Sequence, residues 1–180
     1  VEPAPAPRRK KKAVAPAGAN GKSLIIVESP AKAKTINKYL GKEYIVEASV
    51  GHIKNLPKSK IGVDVDGGFV PEYETIDGKA DVITRLKDRA RTASAVYIAT
   101  DPDREGEAIA WHIAREIAGG TAKIYRVLFH EITERGIAQA MLSPGVIDEH
   151  LVNSQQARRV MDRLVGYKIS PIVWKTLYYG

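Results

Sequence analysis

The sequence predicts an α/β protein: a mostly parallel sheet flanked by helices, with the helical start of a second unit at its C-terminal end. Three observations carry this. Short apolar runs over 24–27 and 95–100 have the character of buried strands, and 124–129 reads as a further strand. Stretches with helical apolar spacing and recognisable start or stop residues alternate with them. The connections between them are short, as in βαβ units.

Taken in order, the first 22 residues stand outside that core. They are rich in Ala, Pro, Lys and Arg and nearly devoid of large apolar side chains. Burial there cannot offset the ordering entropy, so a disordered basic tail is expected. Its cations are Arg8, Arg9, Lys10, Lys11, Lys12 and Lys22, against the single acid Glu2. Two readings of the tail stay open, a phosphate-attracting arm and a merely solvated one. Order is expected from Ser23. Leu24-Ile25-Ile26-Val27 forms a strand ending at Glu28, after which Ser29 suits an N-cap and Pro30 a first helical position. Ile36, Tyr39 and Leu40 make an apolar stripe, and Gly41 offers a stop. Residues 44–50 read as a second strand, 51–74 as loop-rich with Gly62, Gly67, Gly68 and two prolines, and 79–91 as a polar helix. The strand over 95–100 ends at Asp101. A helix over 105–118 follows, with Ile109, Ile113 and Ile117 on one face and Gly119-Gly120 ending it. After the strand over 124–129, Thr133 caps a helix through Met141. A last helix, about 151–166, comes after Pro144-Gly145, with Pro171 beyond it.

Composition narrows the class. Of the 180 residues 44% are hydrophobic, enough for a real core, and none is cysteine. Disulfides and cysteine-ligated zinc or iron–sulfur sites are thereby excluded. No apolar run approaches the ~20 residues of a membrane span. The N-terminal segment has charges but no apolar core of a secretory signal. A cytoplasmic protein with no membrane partner is expected. The net charge of +7 is unevenly placed. Both ends are positive: at the second, Arg158, Arg159, Arg163, Lys168 and Lys175 stand against Asp162. The stretch between them is slightly acidic, so it is not a generic basic nucleic-acid binder.

Two strands end in acids. Glu28 closes one, and the other runs into Asp101-Pro102-Asp103-Arg104-Glu105-Gly106-Glu107. In open parallel sheets ligands sit beyond the carboxyl ends of the strands. Pro102 biases Asp101 toward extended backbone, and an extended chain would put Asp101, Asp103 and Glu105 on one side. Carboxylates so crowded repel one another unless protonated or neutralised by a divalent cation. Hard oxygen ligands without His or Cys favour Mg²⁺, with Mn²⁺ or Ca²⁺ as substitutes, and Mg²⁺ is often completed by phosphate. Phosphoryl-transfer chemistry is the expectation. An acidic helix start explains any one of these acids equally well, but it does not explain the string together with Glu28.

At this point the residues resemble a family. Val27-Glu28-Ser29-Pro30-Ala31-Lys32-Ala33-Lys34-Thr35 and the Asp101 to Glu107 string are similar to the two signatures of the TOPRIM domain in bacterial type IA DNA topoisomerases. Ser49-Val50-Gly51-His52-Ile53, Phe129-His130-Glu131-Ile132-Thr133 and Asn153-Ser154-Gln155-Gln156-Ala157-Arg158-Arg159, with Asp162-Arg163 after it, also look like segments of that family. They occur in order from about Ser23 to the C-terminal end.

The resemblance implies a TOPRIM, Rossmann-like domain over 23–145 and the start of a helical DNA-binding domain over 146–180. It implies an enzyme that relaxes negatively supercoiled DNA. A tyrosine cleaves one strand, holds its 5′-phosphate while a strand passes, and is released on religation, without ATP. It assigns Glu28 as general acid/base at the leaving 3′-oxygen. Asp101, Asp103 and Glu105, with Glu28, would hold Mg²⁺. Lys32 would meet the scissile phosphate as a point charge, or else be a solvated helix lysine. His52 would contact DNA or make a structural hydrogen bond. Arg158 and Arg159, with Asp162 as an i, i+4 partner, would grip phosphates or merely form a charged face. His130, Glu131 and Thr133 fit helix capping, and His112 a structural position.

The resemblance also marks a departure. The family carries its nucleophilic tyrosine in a separate downstream domain, and none of Tyr39, Tyr44, Tyr73, Tyr97, Tyr125, Tyr167, Tyr178 and Tyr179 has that setting. The expectation is a monomeric, nucleoid-associated catalytic half-site that acts on single-stranded and supercoiled DNA only with the remaining domains of its enzyme. A TOPRIM primase or nuclease, which would need metal alone, and a non-catalytic single-strand-binding module are the competing readings.

Overall fold

The computed structural model describes residues 21–179; the first 20 residues of the expected basic tail lie outside that range. The first unit is β1 (Ser23–Val27), α1 (Pro30–Tyr39) and β2 (Tyr44–Ala48). Ser29 is the N-cap of α1, its hydroxyl accepting the Lys32 amide at 3.3 Å, and Pro30 opens the helix where its missing N–H costs nothing. The chain then enters two small antiparallel ribbons. One pairs β3 (Lys54–Asn55) with β6 (Glu74–Thr75), the other β4 (Val63–Asp64) with β5 (Val70–Pro71). The core resumes with α2 (Ala80–Thr92), β7 (Ala95–Ile98), α3 (Arg104–Ile117), β8 (Lys123–Arg126) and α4 (Glu134–Met141).

The four long strands form one sheet in the order β2-β1-β7-β8, and every pairing in it is parallel. Both central strands are wholly buried, which is why they read as continuous apolar runs. Alternate residues serve opposite layers. Leu24 and Ile26 of β1, with Val96 and Ile98 of β7, pack under Ile83 and Leu86 of α2 and Ile109 and Ile113 of α3. Ile25, Val27 and Tyr97 pack on the other side against Ile36 of α1 and Ile137 of α4. Each large apolar side chain so buried contributes roughly 1.5–3 kcal/mol. β1 connects outward to β2, whereas β7 connects to β8 on the opposite side, so the strand order reverses between β1 and β7. Their carboxyl ends lie side by side there, with Ile26 opposite Ile98 and the Ala99 amide donating to the Ile26 carbonyl.

The C-terminal portion differs from the sequence expectation at both ends of its helix. α5 (Glu149–Leu164) begins two residues before the expected 151, capped by Asp148, whose carboxylate accepts the His150 and Leu151 amides. It does not end near Gly166. A π-helical turn (Val165–Ile169) carries it into α6 (Ser170–Tyr179). Pro171 was expected to lie past the end of the helix. It lacks an N–H and crowds the preceding turn, and the wide π turn accommodates both, with the Ser170 amide reaching back to the Val165 carbonyl. α5 packs on α3, and Val160 closes a small cluster with Leu56 and Val63. Among the described residues no helix is long and apolar enough to cross a membrane.

Candidate active site

The reversal point between β1 and β7 is where the acids gather. Glu28 follows β1 directly. One turn into α1, Lys32 places its ammonium between the two strand ends and donates to Oε1 of Glu28 and to Oδ1 of Asp101. The three side chains differ in exposure: Glu28 is 19%, Lys32 26% and Asp101 44% exposed. Burial, followed by the hydrogen bond to Asp101, holds the Glu28 carboxyl above the usual carboxylate range against the opposing pull of Lys32. The hydrogen bond from Glu28, and then Lys32, holds Asp101 below it. Burial would depress Lys32, but its hydrogen bonds to Asp101 and Glu28 outweigh that and raise it.

The loop after β2 is braced against the same point. The Ser49 amide donates to the Val27 carbonyl at 2.9 Å and the Gly51 amide to the Glu28 carbonyl at 2.8 Å. Val50 has φ +59° and Gly51 φ +78°. The left-handed region is natural for Gly51 but strained for β-branched Val50. Lys79 holds that turn by donating to the Val50 carbonyl. The turn delivers His52, whose Nε2 lies 3.1 Å from Oε2 of Glu105. Burial, then Arg159, holds His52 below its ordinary range, and its Nδ1 is buried without a hydrogen-bond partner among the described residues.

The remaining acids of the string are dispersed differently from the extended geometry expected of them. The extended run stops at Asp103, because the helix starts at Arg104. Asp103 is its N-cap, with Oδ1 accepting the Gly106 amide at 2.7 Å. Glu105, in the first helical turn, takes a hydrogen bond from Gln155 of α5 at 3.3 Å as well as its contact with His52. Gly106 fits where it does because a Cβ there would meet the Asp101 backbone, its amide nitrogen at 2.8 Å among other atoms. Glu28, Lys32 and Asp101 are therefore brought together. Asp103 and Glu105 instead line a neighbouring cavity of about 380 Å³ with Gln155, Arg158, Arg159 and Asp162. Among the described residues, no three His, Cys, Asp or Glu side chains converge as a metal-holding group.

On α5, Arg158 stands 3.7 Å from Asp162 at the expected i, i+4 spacing, both exposed. Arg159 turns inward and donates to Oδ1 of Asn55 at 2.8 Å. Arg163 donates to the Pro57 carbonyl at 2.7 Å and stacks over Tyr167. Thr133 caps α4, as read from the sequence, accepting the Gly136 amide at 3.0 Å and donating to Glu131.

Behind His52, the ring of His112 packs against Tyr73 and Trp111. Burial, then the surrounding cationic field of His52, Arg159, Lys54 and Arg115, pulls His112 from 6.5 down to about 4. An unfolded histidine binds a proton below about pH 6.5 that folded His112 refuses until about pH 4. Stability therefore falls as pH drops through that window, by roughly 3 kcal/mol in all. Urea midpoints at pH 7 and pH 4.5 should drop less for His112→Phe than for the parent chain. Equal drops would remove His112 as the cause.

Two residues of consequence were given no role from the sequence. Arg126, at the end of β8, and Glu107, in α3, form an ion pair at 2.8 Å with side chains 2% and 3% exposed. The available signal was an acid set beside the apolar stripe of α3 and an arginine closing an otherwise apolar strand.

Comparison with known proteins bears on the fold and the family. Residues 23–132 match the Toprim domain family. Full-length topoisomerase I from Thermotoga maritima is 52% identical over 84% of this chain, with a TM-score of 0.77. The matched region is 26% of that chain, so the present sequence spans about a quarter of its length. A small TOPRIM domain protein from Bacillus stearothermophilus aligns over 69% of this chain and 86% of its own at 17% identity, with a TM-score of 0.39, too slight a likeness to argue from. With the parallel sheet, the acids at its reversal point and the match over most of the described residues, the chain belongs to the Toprim domain family.

Proposed function

We propose that this chain is the divalent-cation-dependent catalytic half-site of a type IA DNA topoisomerase, DNA topoisomerase I of a bacterium. One observation carries the reading: Glu28 and Asp101, at the ends of adjacent parallel strands, already converge on a single cationic centre, the Lys32 ammonium. A pair of hard oxygen donors that draws one cation suits Mg²⁺, with Mn²⁺ or Ca²⁺ as substitutes. Glu28 and Asp101 would hold it, with Asp103 and Glu105 close by on the start of α3. Such an ion would supply charge neutralisation beside a DNA phosphate.

The chain's own groups do the rest. Glu28, whose carboxyl is raised above the usual range by burial and by Asp101, would give a proton to the departing 3′-oxygen. Lys32 adds positive charge beside the phosphate. Arg158 and Arg159, which line one cavity with Asp103 and Glu105, fix the register of a single strand through its phosphates, with His52 held against Glu105 to contact DNA and Asp162 steadying Arg158. The nucleophilic tyrosine belongs to a further domain, and residues 146–180 begin the helical domain that leads to it. No ATP enters. The working enzyme is a cytoplasmic, nucleoid-associated monomer acting on single-stranded and negatively supercoiled DNA.

The test is a plasmid assay. The chain alone with Mg²⁺ should leave supercoiled plasmid unchanged, and relaxation should be restored by adding a tyrosine-bearing complement in trans. Metal-dependent nicking by the chain alone would favour a TOPRIM nuclease instead. DNA binding that ignores both Mg²⁺ and Glu28→Ala but is lost in an Arg158→Ala, Arg159→Ala double variant would favour a binding module.

A further inference from the structure

Arg126 spends its whole guanidinium inside the protein. Its Nη1 donates to the Ile98 carbonyl at 3.1 Å and the Val127 carbonyl at 2.8 Å, tying the ends of β7 and β8 together. Its Nη2 donates to the Asp101 carbonyl at 2.8 Å. Its Nε donates to Oε2 of Glu107 at 2.8 Å, and the other oxygen of Glu107 accepts the Asp148 amide at 2.7 Å, at the N-cap of α5. A single planar group therefore touches the end of β7, the peptide that carries Asp101, and, through Glu107, the start of the arginine-bearing helix. Only a rigid fork of several donors spans these acceptors at once; a lysine ammonium is a point donor on a flexible stem.

We propose that Arg126 is a positioning residue: it sets the Asp101 carboxylate in register with Glu28 and fixes α5 to the same frame. The inference rests on the reading of Glu28 and Asp101 as a divalent-cation site, and it concerns residues that touch neither cation nor DNA. Groups that orient a ligand's own supports are worth about 10–100-fold in metal affinity.

The test compares Arg126→Lys with the parent chain. Lysine keeps the buried positive charge beside Glu107, so a purely structural role is rescued, whereas the fork to Asp101 is not. Mn²⁺ affinity measured by calorimetry should fall about tenfold, and exchange of the Asp148 amide should quicken, while the variant still melts cooperatively. Ile113→Val, a core change outside the hydrogen bonds of the fork, serves as the control and should lower the melting temperature without moving Mn²⁺ affinity. If Arg126→Lys does not fold, Arg126→Met with Glu107→Met replaces the pair by apolar chains of similar length and takes over the measurement with the same expectation. A folded variant that binds Mn²⁺ within twofold of the parent overturns the positioning role alone. A parent chain that takes up no Mn²⁺ overturns the divalent-site reading and this proposal with it.

Discussion

Glu28→Ala, in an enzyme completed with a tyrosine-bearing domain, should slow strand cleavage by about 10²–10⁴-fold, the usual worth of a positioned proton donor. Folding should be little affected, because Glu28 lies past the end of β1 and its partners Lys32 and Asp101 retain each other. The pH profile separates proton transfer from simple loss of charge. Burial and Asp101 hold the Glu28 carboxyl above the ordinary range. The protonated form therefore persists to higher pH than in a free glutamate, and cleavage should decline as pH rises through that raised value. Glu28→Gln cannot titrate, so its residual rate should be flat across the same interval. A Glu28→Gln rate that falls in parallel with the parent would assign the decline to another group.

Glu107→Ala should be strongly destabilising. It leaves the Arg126 guanidinium, 2% exposed, without its counter-charge and the Asp148 amide without its acceptor. Breaking a buried pair from one side costs about 3–5 kcal/mol, which in a chain of this size lowers the melting temperature by on the order of 10 °C. The same substitution at exposed Glu72, whose bridge to Lys60 is a surface pair, should cost far less. A Glu107→Ala loss no larger than the Glu72 one, read from denaturant midpoints, would mean that water reaches Arg126 and that the pair is not a fixed brace.

How much of this was legible in the sequence depends on range. The sheet was readable because β1 and β7 are buried on both faces, and unbroken apolar runs announce that locally. The caps Ser29 and Thr133 were readable because each acts on amides three residues away. The ribbons β3–β6 and β4–β5 were not, since two-residue strands have no period to detect. At Asp103 two local rules competed. Pro102 argued for continued extension, but an Asp three residues before the Gly106 amide is also an N-cap, and the cap prevailed. Convergence was the least legible feature. Lys32 meets Asp101 across 69 positions, and Arg159 meets Asn55 across 104. The acids at both strand ends suggested a shared cation. That a lysine of α1 supplies the positive charge between them follows only from the fold, as does the turning of Glu105 toward His52 and Gln155.

The most direct measurement is Mn²⁺ titration of the ¹⁵N-labelled chain, followed through paramagnetic broadening of its amides. If Glu28 and Asp101 form one cation-binding pair at the meeting of β1 and β7, the amides of Glu28, Gly51 and Asp101 broaden first and together, and Asp101→Asn abolishes the effect at all three. Broadening centred on other acids, with those three amides still sharp, would contradict it.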